Sequence, residues 1–175
     1  MLSTFTTLAA FVSAAAAVVV CPLEQFSGLS FVATFQNGAR WDVLTSSVGN
    51  GHVGDVGWIV NAGPNVNEVF TAHTAGAPGH FTLTRKNAQD IDVTGNNNGA
   101  SLLATTGRQA IWNIVCSDCP VATGPNQGVG SNCGIQLLAN GALTNLCVNF
   151  QTDNVVRVLT CNNNNANQNI HIFSA

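Results

Sequence analysis

Apolar residues in this chain come in short runs, and no run after Cys21 keeps the 3.6-residue period of an amphipathic helix. Val155-Val156-Arg157-Val158-Leu159 and Ile170-His171-Ile172-Phe173 run apolar or alternate with polar residues, as strands do. Gly, Asn and Pro punctuate the runs at Asn37-Gly38, Asn61-Ala62-Gly63-Pro64, Asn98-Gly99 and Asn140-Gly141, which are hairpin and turn signals. The pattern predicts about twelve short strands between Ser27 and Phe173, and no helix longer than about two turns after Cys21.

The pattern also repeats. Phe31-Val32-Ala33-Thr34 through Trp41-Asp42-Val43 lies over Phe81-Thr82-Leu83-Thr84 through Ile91-Asp92-Val93 at an offset of 50 residues, with no gap. A looser third copy runs from Ile135-Gln136-Leu137 to Cys147-Val148-Asn149-Phe150. Each copy is closed by a second pattern: Asn67-Glu68-Val69-Phe70, Arg108-Gln109-Ala110-Ile111-Trp112, and Asn167-Gln168-Asn169-Ile170. The copies fall at roughly 27–73, 74–118 and 133–175, with a Gly- and Pro-rich insertion at 119–132. Three copies of four strands point to an all-β, pseudo-threefold β-trefoil, in which each copy alone would expose an apolar face. Phe31, Phe81 and Ile135 are expected at equivalent places in the barrel.

The segment Leu8 to Val20 is Ala, Val, Leu and Phe broken only by Ser13, too short to span a bilayer as a helix. With small residues at Ala15 and Ala17 it reads as a secretory signal over residues 1–20, cleaved between Ala17 and Cys21, leaving one domain at 21–175. No other run reaches spanning length. Net charge is −3 and charged residues are 7% of the chain, so the clustered Lys and Arg of a nucleic-acid partner are missing. Polarity rests instead on residues such as Asn, 22 in all. No Asn-x-Ser/Thr sequon occurs.

Six cysteines, Cys21, Cys116, Cys119, Cys133, Cys147 and Cys161, read as three disulfides in a secreted chain. Cys147–Cys161 flanks one hairpin-sized loop. Cys119–Cys133 would close the insertion and Cys21–Cys116 would remain, with the roles of Cys116 and Cys119 interchangeable. Cys116-Ser117-Asp118-Cys119 is formally a CxxC, and four of the cysteines have spacing compatible with zinc, but no strand–helix context for a redox motif is visible.

Trp41-Asp42-Val43 and Ile91-Asp92-Val93 resemble the early Leu-Asp-Val element of the ricin-B-type β-trefoil lectins, and the closing patterns resemble their late Asn-Gln-x-Trp. Cys147 to Cys161 with the Asn-rich turn after it is the nearest local match, and the resemblance spans Ser27 to Phe173. It implies a secreted, non-enzymatic, single-domain lectin of fungal type, with a glycan or glycoprotein as partner and no cofactor.

Sugar recognition asks for a carboxylate to accept from vicinal hydroxyls, an amide that donates and accepts, and an aromatic ring for the C–H face. By the resemblance, copy one supplies Asp42, Trp58 and Asn67, with Glu68 where Gln usually orients the Asp. Copy three supplies Asn149, Asn167 and Gln168 as a weak site, with Leu159 in place of the aromatic. Copy two has Arg108 at the Asn position and Leu103 or Ala104 for the aromatic, so no sugar is expected there. The plainer reading is structural: Gln109 and Gln168 cap turns, and Phe70, Ile111, Ile170, Trp41 and Trp112 fill the core. A secreted trefoil acting through its loops on a protein, as a protease inhibitor or surface protein, is the rival function. No His-Glu-x-x-His or Gly-x-Ser-x-Gly occurs, and neither the four His nor Asp90 with Asp92 forms a recognisable catalytic set, so no enzyme is expected.

Overall fold

A computed structural model of the chain describes residues 18–34, 39–43, 54–60, 68–86, 88–107 and 109–175, with backbone alone at 54–55, 57–60, 88–91 and 106. Most of the signal segment, residues 1–17, lies outside the described residues. The strands are β1 (Leu29–Ala33), β2 (Ala39–Val43), β3 (Gly54–Val60), β4 (Phe70–Thr74), β5 (His80–Arg85) and β6 (Ala88–Thr94). They continue as β7 (Leu103–Thr106), β8 (Ile111–Val115), β9 (Gly128–Ala139), β10 (Ala142–Phe150), β11 (Val156–Thr160) and β12 (Ile170–Ser174). The helical pieces among the described residues are three-residue 3-10 turns at Leu23–Gln25 and Ala166–Gln168. The chain is thus all-β, and β9 takes in the end of the stretch read above as an insertion.

All strand pairs are antiparallel, and six of them close a ring: β1 on β4, β4 on β5, β5 on β8, β8 on β9, β9 on β12, and β12 back on β1. Closure leaves these six strands without an unpaired edge. The other six form the hairpins β2–β3, β6–β7 and β10–β11. These hairpins meet one another: Val56 N–H donates to Leu102 O at 2.8 Å, and Leu102 N–H to Val156 O at 2.7 Å. Asn140 and Gly141, at φ of 52° and 77°, make the two-residue turn that joins β9 to β10, as the Asn-Gly pair predicts.

The pairing register recurs from one group of four strands to the next. Leu29 faces Phe70 and Ser174; Phe81 faces Trp112 and Thr74; Cys133 faces Ile170. One step inward, Val32 faces Arg40, Thr84 faces Asp92 and Gln136 faces Cys147. In the hairpins, Asp42 faces Gly57, Thr94 faces Leu103 and Asn149 faces Arg157. The first two groups therefore superpose at 52 residues (Leu29 to Phe81), not at the 50 of the sequence alignment. The ladder matches Phe31 with Leu83 and Ile135, and Asp42 with Thr94 and Asn149; Asp92 corresponds to Arg40. The expected equivalence of Phe81 with Phe31 is corrected by two positions. Side chains alternate with a period of two, so a slip of two residues leaves the inward and outward pattern intact and invisible to sequence.

The core fills the ring and the space under the hairpins. Phe31 stacks on Trp41 at 4.3 Å between ring centroids, and Phe70 meets both edge-on at 5.7 and 5.8 Å. Trp41 and Trp112 are fully enclosed, and Trp112 Nε1 donates to Val93 O at 3.2 Å. Both tryptophans are core residues, as the structural reading has it.

Three disulfides are formed. Cys147–Cys161 stands as expected, with Cα atoms 4.9 Å apart. The other two use the interchanged partners: Cys21–Cys119 and Cys116–Cys133, rather than Cys21–Cys116 and Cys119–Cys133. The ladder decides this. Cys116 and Cys133 continue the β8–β9 register one step past Val115 and Gly134, directly opposite each other with Cα atoms 3.9 Å apart. Cys119 lies beyond that ladder, where the segment carrying Cys21 crosses. The two bridges pack together over Gly130, whose missing Cβ would fall 2.8 Å from Cys133 Sγ, 2.9 Å from Cys116 Sγ and 3.5 Å from Cys21 Sγ.

Candidate functional site

Asp42 sits on β2 opposite Gly57 and is only 6% exposed. Trp58 faces Trp41 in the same ladder, but its side chain and the whole of Asn67 lie outside the described residues. Glu68 is completely enclosed. Its carboxylate acts on Arg40, which donates from Nη1 to Ser30 Oγ at 2.8 Å and stands over the Phe173 ring at 5.7 Å. Burial pulls the Arg40 guanidinium below its ordinary value, and the Glu68 charge opposes that shift. Glu68 is therefore an enclosed carboxylate whose charge acts on a core cation, a role for which an amide at this position gives no hint.

The third group shows what its motif residues hold. Gln168 is 5% exposed and uses both ends of its amide: Nε2 donates to Thr160 O at 2.9 Å, and Oε1 accepts from Asn162 N–H at 2.7 Å. These bonds clamp the chain on either side of Cys161. Cys147, bonded to Cys161, corresponds in register to Arg40, and Gln168 stands two residues before Ile170 as Glu68 stands before Phe70. The first group thus places Arg40 and Glu68 where the third places a disulfide and an amide clamp.

Asn149 is fully enclosed; its Oδ1 accepts from Gln151 Nε2, and its Nδ2 has no hydrogen-bond partner. Asn167 is half-buried in the Ala166–Gln168 turn, its N–H bonded to Asn165 Oδ1 at 3.0 Å. In the second group, Trp112 occupies the ladder position of Phe70 and Ile170, so the residue three before it is Gln109, not Arg108. Gln109 is exposed, and Arg108 lies outside the described residues. The structure thus leaves the copy-one triad with one described side chain, Asp42, and encloses the polar groups of Asn149 and Gln168.

The open space lies elsewhere, around the segment Val20–Gly28, which crosses the mouth of the ring where β1 begins. A cavity of about 500 Å³ lies between Glu24–Ser27 and Thr71–Thr74 of β4, and another of about 380 Å³ continues to the Ala122–Pro125 loop. None of these residues stands in a repeated motif.

No family model matches the chain, and no curated protein does. Solved structures do share its fold. A structure of a mosquitocidal holotoxin superposes with a TM-score of 0.60 at 13% identity, over 86% of this chain and 17% of that one. A PSL1a–E64 complex superposes with a TM-score of 0.54 at 16% identity, over 84% of this chain and 46% of that one. The chain therefore spans less than half the length of either, and at such identities the likeness is one of fold.

Proposed function

We propose that this chain is a secreted β-trefoil that binds carbohydrate without catalysis. The observation that carries the reading is the threefold recurrence of the ladder with lectin-like residues at matching positions: Asp42 and Asn149 on the second strands, and Asn167-Gln168 just ahead of a fourth. A ring of six strands with three hairpins on it supports the trefoil reading, as does the fold shared with the toxin and with PSL1a. Secretion is supported by three disulfides with no free cysteine among the described residues, and by the apolar leader pattern. No helix among the described residues is long and apolar enough to cross a membrane.

Of the motif sites, copy one is the better candidate, because Asp42 is the one carboxylate among the three equivalent positions. A single site of this kind binds a monosaccharide at about millimolar strength, roughly −4 kcal/mol. Useful affinity then comes from clustered glycans and more than one site. The test is a glycan array on residues 18–175, followed by the Asp42→Asn variant. Binding that Asp42→Asn abolishes supports the motif site.

The second reading is a secreted trefoil that presents its loops to a protein. It is favoured by the enclosure of Glu68, Asn149 and Gln168, which keeps these polar groups away from the surface where a glycan would dock. A chain that binds no glycan on the array and inhibits or captures a defined protein would make this second reading the correct one.

A further inference from the structure

We infer that the groove at the ring mouth, between the Leu23–Ser27 segment and the end of β4, is a carbohydrate site that takes an uncharged sugar residue. This rests on the carbohydrate-binding reading and gives it a location outside every repeated motif. The carboxylate, amide and aromatic ring that sugar recognition needs stand side by side here, as Glu24, Gln25 and Phe26. Glu24 and Gln25 are exposed, and Phe26 is half-buried, packed in part against the core. Thr71, His73 and Thr74 form the opposite wall.

The backbone of the segment and one wall of the groove are anchored. Leu23 is fully enclosed in the core, and Cys21–Cys119 anchors the chain two residues before it. Across the groove, the His73 Nε2 is paired with Thr84 Oγ1 at 3.0 Å, which orients the imidazole and leaves Nδ1 for a hydroxyl. Among the described polar side chains of the groove, His73 is the one fixed before binding, which lowers the entropy lost there. The groove offers about 500 Å³ and is open to solvent, so it suits a sugar residue lying on the surface rather than an enclosed ligand.

The charge of the lining selects the ligand class. Among the described residues that line the groove, Glu24 is the one charged side chain. A sulfated or sialylated sugar seated against Glu24 would meet a like charge, and Lys86, whose Nζ lies 3.1 Å from where a Gly28 Cβ would stand, is outside the lining. A neutral sugar presents only hydroxyls. On the far side of Gln25 and Phe26 the second cavity continues the surface past Gly28 to Thr123 and Ser174, which gives an oligosaccharide a path beyond its first residue.

The experiment uses the disulfide-bonded chain on an array of neutral, sialylated and sulfated glycans, with the best glycan then titrated by calorimetry or NMR. Glu24→Gln and Gln25→Ala change exposed side chains, and each is expected to weaken binding tenfold or more without moving the melting temperature. Phe26→Ala is expected to weaken it further. Thr152→Ala, on the β10–β11 turn, is the control. Preference for neutral over acidic glycans, lost in the Glu24 and Gln25 variants, supports the groove. Binding that survives Glu24→Gln and Gln25→Ala but vanishes in Asp42→Asn overturns the groove and leaves the lectin reading standing. Binding to no glycan at all overturns both.

Discussion

Buried polar side chains carry most of what is individual about this chain. Arg40 and Glu68 are opposite charges enclosed in the core, the Glu68 charge acting on a guanidinium that has Ser30 and the Phe173 ring around it. Removing one partner from such a pair strands a charge, which costs about 3–5 kcal/mol, whereas replacing both with apolar residues is often neutral. Glu68→Leu is therefore expected to lower unfolding stability in urea by about 3 kcal/mol, and Arg40→Met with Glu68→Leu to recover most of it. His171 gives a pH handle. Burial lowers its pKa below the usual value near 6.5, and its Nδ1 accepts from Asn132 N–H at 3.5 Å, which requires that nitrogen unprotonated. The unfolded chain binds this proton more readily than the folded one. Stability should thus be full above about pH 6.5 and fall as pH drops below it. Melting temperatures at pH 7.5 and 5.0 should differ less in His171→Gln than in the parent; an equal difference would remove His171 as the cause.

Elements are shaped by close approaches that no side chain could share. Gly95 ends the β6 strand under the hairpins, where a Cβ would fall 2.5 Å from Val158 Cγ2. By register it stands where the first group has Val43 and the third has Phe150, so the second hairpin contributes no side chain at that point. Gly130 on β9 admits two disulfides to the same spot. Gly95→Ala must displace a valine methyl, a cost of about 1–3 kcal/mol. Gly130→Ala must displace sulfur held on both sides, so it should destabilise more and lower the yield of correctly bridged protein. Thermal melts and non-reducing peptide maps of the two variants measure this order.

At the scale of the whole molecule, disulfides and ring closure hold together a chain with few charges. Cys147–Cys161 closes a short loop of 14 residues in sequence separation, worth about 3 kcal/mol on loop-entropy grounds. Cys21–Cys119 spans 98 residues and ties the ring-mouth segment to the chain after β8; the same argument gives it about 4.7 kcal/mol. Cys21→Ser with Cys119→Ser should accordingly cost more stability than Cys147→Ser with Cys161→Ser, and should also loosen the groove at Glu24–Phe26. Denaturant midpoints test the ranking, and hydrogen exchange over residues 20–28 tests the loosening.

Much of the architecture was readable in the residues. Short apolar runs, Asn-Gly turns and the absence of a helical period were enough for an all-β chain of about twelve strands, because strand periodicity and turn chemistry are local properties. Cys147 and Cys161 were legible for the same reason, lying close in sequence at the two ends of one hairpin. Register was not. Alternation survives a two-residue slip, so Asp92 could pass for the partner of Asp42 until the ladders showed Thr94 in that place. Nor could spacing choose between Cys116 and Cys119, since that choice depends on which one stands opposite Cys133 across two strands. The tertiary structure alone decided that Glu68 is enclosed in the core, where its charge acts on Arg40. It also brought Glu24 and His73, almost fifty residues apart and in no repeated motif, to the two sides of one groove. Contacts of that range are set by how strands close into a ring, which no stretch of sequence encodes by itself.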